Sequence, residues 1–393
     1  MDTKEKDKKY LGRDIEADQL EIVGSDGSHL VDAKGKKHID FLMGWCVGNI
    51  GWGNNEVRKR LKKFTGPDYV LPGYLYKPWA QLAEMLAKIT PGKLEKSFRA
   101  TGGTEAVEIA MQAAMMHTKR HKFISIEGSY HGHSIGAMSI GMSEFRKWYK
   151  NLLFHCNKID TPLDEKAIVK IEKLLAQKDI AAFIAEPIVC NLGIVMPERN
   201  FWPKVQKLCK KYGTLFIMDE VATGFGRTGK MFASEHYDLS PDIMCLAKGI
   251  AGGYGGLGVA IMTKEVARSM EFDFSFYSTF GWHPLAVEAA LANLEYLDKN
   301  KEKILNNVLK MEKYLQERLK KMIFKYPAKI RIKGLAIGIE FDDVKYAGKI
   351  AEKCMKNGLL VATLNRNIIT LFPALNIDKK TAKAGLDILE RCL

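Results

Sequence analysis

The sequence predicts an α/β protein. A large domain holds a mostly parallel sheet covered by helices, and a smaller α/β domain is assembled from both chain ends. Three observations carry this. Short apolar runs alternate with helical stretches through the middle of the chain. Polar clusters recur just past the ends of those runs. A long amphipathic pattern opens the C-terminal third.

The runs at 123–126 (F-I-S-I), 181–185 (A-A-F-I-A), 214–218 (T-L-F-I-M) and 258–262 (G-V-A-I-M) read as buried strands. Their unbroken apolar character fits a sheet covered on both faces. Residues 201–212 supply one of the intervening helices. Further on, Ile304, Val308, Met311, Leu315, Leu319 and Met322 step by four and three, which places them on one helix face. Lysines fill the opposite, solvated face, and Pro327 lies beyond the pattern's end. More α/β material follows from Gly334 to Phe341. Residues 1–50 are assigned to the small domain, 51–290 to the large domain, and 291–393 to the small domain again.

Composition narrows the function classes. The 393 residues are 47% hydrophobic and 27% charged, as in ordinary globular proteins. No apolar run approaches the roughly 18–20 residues of a membrane span. Sixty Lys+Arg against 46 Asp+Glu leave a net charge of +14. The basic residues are dispersed and lack the interleaved aromatics of a nucleic-acid platform, so solvated faces explain them and no nucleic-acid partner is expected. The first ten residues are charged and contain no apolar leader core. Seven cysteines occur without a C-x-x-C pair, which argues against a disulfide framework and for a cytoplasmic setting. No H-E-x-x-H or other metal-ligand spacing occurs, so no metal is expected.

The chemistry-bearing residues sit after the apolar runs. Tyr130-His131-Gly132 follows the first, Glu186-Pro187 the second, Asp219-Glu220 the third, and Lys248-Gly249 follows 243–247. In an open α/β sheet the carboxyl ends of the strands form the ligand crevice. Each residue alone has an ordinary structural explanation as a cap, turn or solvated side chain. Together they place two acids, a lysine and an aromatic in one cleft. Upstream, Thr101-Gly102-Gly103-Thr104 opens a helical stretch. Its glycines allow close backbone approach, and free amides at a helix start hold phosphate. The alternative there is a plain helix start with Thr104 as the cap.

Two other patterns mislead. Gly224-Phe225-Gly226-Arg227-Thr228-Gly229 matches G-x-G-x-x-G, but no long helix pattern follows it. Gly132-His133-Ser134-Ile135-Gly136 matches G-x-S-x-G, but its serine lies too far past the strand for a nucleophile elbow.

These residues resemble the class III aminotransferases, pyridoxal-phosphate enzymes of fold type I. The likeness runs from about Asp26 to Ile377. It is most specific at Asp219 to Gly229 (D-E-V-A-T-G-F-G-R-T-G), at Pro241-Asp242-Ile243, at Ala247-Lys248-Gly249 and at Ser278 to Pro284. The resemblance implies pyridoxal 5′-phosphate as cofactor, with Lys248 forming the Schiff base to its aldehyde and later moving the proton. Asp219 is implied to hold the pyridine nitrogen protonated, which makes the ring an electron sink. Gly102, Gly103 and Thr104 are implied to hold the phosphate, Tyr130 to lie over the ring and Val221 beneath it. Thr279 is implied to reach the phosphate of the other subunit in a homodimer or higher homo-oligomer. Glu186 supports the site, and Arg227 is a structural part of its loop.

The sequence departs from the family where many members grip a substrate carboxylate. Their I-R-x-x-P-P-L reads here Ile369-Thr370-Leu371-Phe372-Pro373-Ala374-Leu375. Their E-P-I-Q-G-E reads Glu186-Pro187-Ile188-Val189-Cys190-Asn191. An arginine and the glutamate that gates it are thus both replaced, by Thr370 and Asn191, which leaves neither charge uncompensated. Arg366 is the candidate substitute anchor. Gly44-Trp45-Cys46-Val47-Gly48-Asn49 resembles the Trp-bearing segment of amine and ω-amino-acid:pyruvate transaminases, which puts Trp45 in the substrate pocket. The expected reaction moves an amino group from an amine or ω-amino acid to a 2-oxo acid such as pyruvate. A diaminopelargonate-type transaminase, or a racemase, aminomutase or lyase on the same fold, is the alternative.

Overall fold

The computed structural model describes residues 1–12, 20–153, 155–272, 276–363 and 367–393. Among the described residues the strands fall into three sheets. The N-terminal strands are β1 (Ile22–Asp26), β2 (His29–Asp32) and β3 (Lys37–Asp40). The large sheet contains β4 (Leu94–Ala100), β5 (Lys122–Ile126), β6 (Cys156–Ile159), β7 (Ile180–Ala185), β8 (Leu215–Asp219), β9 (Ile243–Leu246) and β10 (Gly258–Thr263). The C-terminal strands are β11 (Ala328–Lys333), β12 (Ala336–Phe341), β13 (Leu359–Leu360), β14 (Ala362–Thr363) and β15 (Ile368–Leu371).

The large sheet has the order β4-β10-β9-β8-β7-β5-β6. Its pairs from β9 to β6 are parallel. β10 departs from the parallel pattern and runs antiparallel to both neighbours. The apolar runs of β7 and β8 are buried on both faces. One face carries helix Gly103–Thr118, whose Ala106, Ala110, Ala113 and Ala114 are fully buried. Small side chains let that helix lie close to the sheet. The other face packs against helices Glu165–Leu175 and Phe201–Tyr212, around Phe183, Phe216 and Trp202.

Helix Lys301–Lys321 buries Ile304, Val308, Met311, Leu315 and Leu319, as their spacing requires. The two chain ends meet in a small sheet, where Leu359 and Leu360 of β13 pair in parallel with Ile39 and Asp40 of β3. The C-terminal sheet has the order β11-β12-β15-β14. No helix among the described residues is long and apolar enough to cross a membrane.

Candidate active site

The strand register builds the site. Ala185 pairs with Met218 across β7 and β8, so Glu186 and Asp219, one residue further on, lie side by side at the carboxyl edge. Asp219 in turn pairs with Cys245 of β9, three residues before Lys248. Side chains alternate along a strand. Asp219 therefore shares the face of Ile217, toward helix Gly103–Thr118, and Glu220 takes the opposite one. Glu220 is spent on structure, accepting from the amides of Ala233 and Ser234 and the hydroxyl of Thr223.

Asp219 is 3% exposed. Its Oδ1 accepts from the amide of Val221 at 3.0 Å, and its Oδ2 lies 2.7 Å from Nδ1 of His131. Nε2 of His131 is 3.1 Å from the Ser129 hydroxyl, which donates to the carbonyl of Ile126. The ring backs the carboxylate of Asp219 through its short Nδ1 contact. His131 was no candidate in the sequence, although it stands between Tyr130 and Gly132; its partner is 88 residues away.

Glu186 is buried, and its Oε2 accepts from the Cys190 amide at 3.2 Å. Burial, and after it the negative charge of Asp219, push its carboxyl up to about 8, with Lys248 opposing. The thiols of Cys46 and Cys190 are also raised by burial and lie within the field of Lys248. Lys248 itself follows β9 with φ +46°, the left-handed region. Acid, lysine and thiols thus surround one small volume.

The glycine-rich turn closes it. Gly102 caps helix Gly103–Thr118 with no side-chain hydrogen bond, which leaves the amides of the first turn free for a ligand. The N-cap is Gly102 and not Thr104, because Thr104 lies inside the first turn. A Cβ on Gly103 would come within 3.0 Å of Val221 and 3.6 Å of Ala247, so this turn lies directly on the Asp219 and Lys248 loops. Gly132, at φ +128°, has room for no side chain, since a Cβ would lie 2.5 Å from the Thr104 hydroxyl. Tyr130 is 42% exposed, and its ring centroid lies 6.4 Å from that of Phe145.

Across the cleft, Met43, Gly44, Trp45 and Cys46 have φ of +48°, +60°, +61° and +68°. A left-handed turn costs a non-glycine residue roughly 1–2 kcal/mol, and such strain gathers at binding sites. It sets the Trp45 ring 6.4 Å from Phe372 and brings Cys46 beside Glu186. Arg227 is fully buried and donates to the carbonyls of Leu335 and Pro373 and to Oδ1 of Asn49, which ties the loop to the C-terminal part. Ser134 caps a helix and donates to Glu108, so the serine of the G-x-S-x-G match is spent on local structure.

The two replaced charges are both accounted for. Asn191 donates to the carbonyl of Gly128 at 2.7 Å. Thr370 is fully buried, and its hydroxyl has no hydrogen-bond partner among the described residues. Thr370 pairs with Gly338, on which the carbonyl of Gly193 rests, so the 190–194 turn covers this part of the sheet. Thr279 is exposed on the surface of the chain. Arg366 lies outside the described residues.

The comparisons with known proteins agree with this geometry. The model of the aminotransferase class-III family matches residues 13–393. The putrescine aminotransferase of Pectobacterium atrosepticum is 34% identical, covering 95% of this chain and 82% of its own. The acetylornithine aminotransferase of Archaeoglobus fulgidus is 32% identical, covering 99% of this chain and all of its own. A solved adenosylmethionine-8-amino-7-oxononanoate aminotransferase from Methanocaldococcus jannaschii superposes with a TM-score of 0.91 at 30% identity, covering 99% of this chain and 98% of that one. The chain belongs to the class III aminotransferases: it is an enzyme of fold type I, and pyridoxal phosphate is its cofactor. The residues present fit that group. The turn at Gly102–Thr104 offers uncapped amides, and the Glu186 Oε1 is a buried polar atom without a hydrogen-bond partner among the described residues.

Proposed function

We propose that this enzyme moves an amino group from an amine or ω-amino acid to a 2-oxo acid, with pyruvate among the acceptors. The observation that carries the substrate reading is the Trp45–Phe372 aromatic pair, with neutral residues at 370 and 191 where many members carry an arginine and its gating glutamate. A dicarboxylate would find no guanidinium at Thr370, and a neutral aromatic wall suits the carbon chain of an amine. The relative named for putrescine, a diamine, supports this direction.

Pyridoxal phosphate, when bound, supplies an aldehyde that takes up the amino group and a ring that accepts electron density. Lys248 would be the catalytic amine, holding and moving the substrate's proton at its Nζ. Asp219, backed by His131, holds positive charge on the ring nitrogen. The amides of Gly102, Gly103 and Thr104 take the phosphate, Tyr130 covers one ring face, and Val221 the other. Glu186 lines the site behind Asp219, and Arg366 is the anchor for a substrate carboxylate.

We place the cofactor-binding domain at 51–290 and the small domain at 1–50 with 291–393. Thr279 serves the site of a second copy. An exposed apolar patch supports a homodimer: Tyr69, Leu71, Tyr74, Leu75, Tyr277 and Phe280 all lie at the surface, with Tyr69 packed on Phe280 at 6.2 Å. All seven cysteines are free thiols, which fits a reducing cytoplasm.

A donor–acceptor panel tests the reading. Amines and ω-amino acids should change the bound cofactor's absorbance in a half-reaction, and pyruvate should reverse the change. Lys248→Ala should lose both the lysine-linked absorbance and turnover. A variant that keeps its turnover removes Lys248 from its role, and a response confined to glutamate and 2-oxoglutarate overturns the substrate reading.

A further inference from the structure

Trp282 is held where its own backbone resists. Its φ is +61°, in the left-handed region that a bulky aromatic residue rarely adopts, and it is buried. Such a conformation persists only where surrounding contacts impose it. Two hydrogen bonds do so here. The Trp282 indole donates to the carbonyl of Gly258 at 2.8 Å, and the Trp282 carbonyl accepts from the indole of Trp79 at 2.7 Å. Trp79 is covered in turn by the Arg99 guanidinium, 4.0 Å from its ring centroid. Gly281 lies against the end of β4, where a Cβ would come within 2.7 Å of the Arg99 carbonyl.

Gly258 leads from this anchor to the glycine-rich turn. It opens β10 and pairs with Ala100, the last residue of β4, two residues before Gly102. A Cβ at 258 would lie 2.5 Å from the carbonyl carbon of Gly102 and 2.9 Å from its Cα, so the Gly102 peptide rests directly on Gly258. Gly102 is the N-cap of helix Gly103–Thr118 and has no side chain to fix the amides that follow. Their aim is set from beneath. We propose that Trp282 is a positioning residue for phosphate binding: its indole holds Gly258, on which the Gly102 turn rests, and so keeps the amides of that turn converged on the phosphate of the cofactor. The inference rests on the reading of Gly102–Thr104 as the phosphate site. Trp282 acts through Gly258 and Gly102 of its own chain, whereas Thr279, three residues earlier, serves a second copy.

The test uses the full chain freed of cofactor, wild type and Trp282→Phe, which keeps a buried ring and removes the N–H. Pyridoxal 5′-phosphate and pyridoxal share the ring and the aldehyde and differ at the phosphate. The ratio of their dissociation constants, read by equilibrium dialysis, therefore reports the phosphate site, and a merely structural loss weakens both alike. One neutral hydrogen bond is lost, so the preference for the phosphorylated form should fall by roughly 3- to 10-fold. A preference unchanged within about twofold overturns the proposal. If Trp282→Phe does not fold, Trp79→Phe carries the same test, because it frees the Trp282 carbonyl. The preference should then fall by about threefold, and an unchanged one overturns the proposal. A wild type that binds both compounds equally removes the phosphate reading of the turn and this role with it. A wild-type preference that the variants retain removes only the role of Trp282.

Discussion

His131 offers the sharpest test of how Asp219 is held. Replacing it with leucine removes the 2.7 Å donor on Oδ2 and leaves the buried carboxylate with the Val221 amide alone. A hydrogen bond to a charged group contributes about 1.5–3 kcal/mol. At about 1.4 kcal/mol per factor of ten, the loss should weaken cofactor binding and kcat/KM by roughly 10- to 150-fold. His131→Asn keeps an N–H close to the position of Nδ1, so it should recover most of that, to within roughly tenfold of wild type. Cofactor affinity is read by fluorescence titration and turnover by absorbance. Both are measured below the variant's melting transition, because breaking a buried pair also costs about 3–5 kcal/mol of stability. A leucine variant within about threefold of wild type, or an asparagine variant no better than leucine, refutes the account of His131 as a donor to Asp219.

Three further outcomes follow from named contacts. Gly103→Ala gains up to about 1 kcal/mol of helix propensity but presses its Cβ to 3.0 Å from Val221; its Tm should hold while the cofactor dissociation constant rises about tenfold, and unchanged affinity removes this turn from the cofactor site. Thr370→Val deletes a buried hydroxyl that has no partner among the described residues and should stabilise the fold by about 1 kcal/mol, read as a higher urea midpoint; a lower midpoint would mean the hydroxyl is satisfied. His236 is pushed down to about 4, by burial first and then by Lys333, from an ordinary 6.5. The unfolded ring therefore takes up protons before the native one, and stability is lost as pH falls from 6.5 toward 4, by an amount on the order of 2 kcal/mol once partial solvent screening is allowed for. His236→Gln should flatten that acid limb in urea titrations, and an unaltered limb excludes the histidine as its source.

What the sequence disclosed follows from what its patterns encode. The runs of β7 and β8 were legible because a strand covered on both faces must be apolar throughout. The same pattern carries no direction, so the reversal of β10 could not be read from it. Asp219 and Lys248 stood out because ligand crevices gather at strand ends. His131 did not, because its significance is a contact across 88 residues and not a spacing. The left-handed turn at 43–46 was hidden for a different reason. Met, Trp and Cys have no local preference for that conformation, so the surrounding structure must impose it. A local rule broken this way is expected where function holds the chain against its own propensity. The same reasoning explains the glycines at 103 and 132. The glycine at 103 was read as allowing close approach and lies against Val221, whereas the one at 132 carried no such signal and lies against Thr104. The cofactor site is therefore made less by the residues that would touch the ligand than by the close contacts that bring four separate loops to one place, and substitutions at those contacts should alter binding without touching a reactive group.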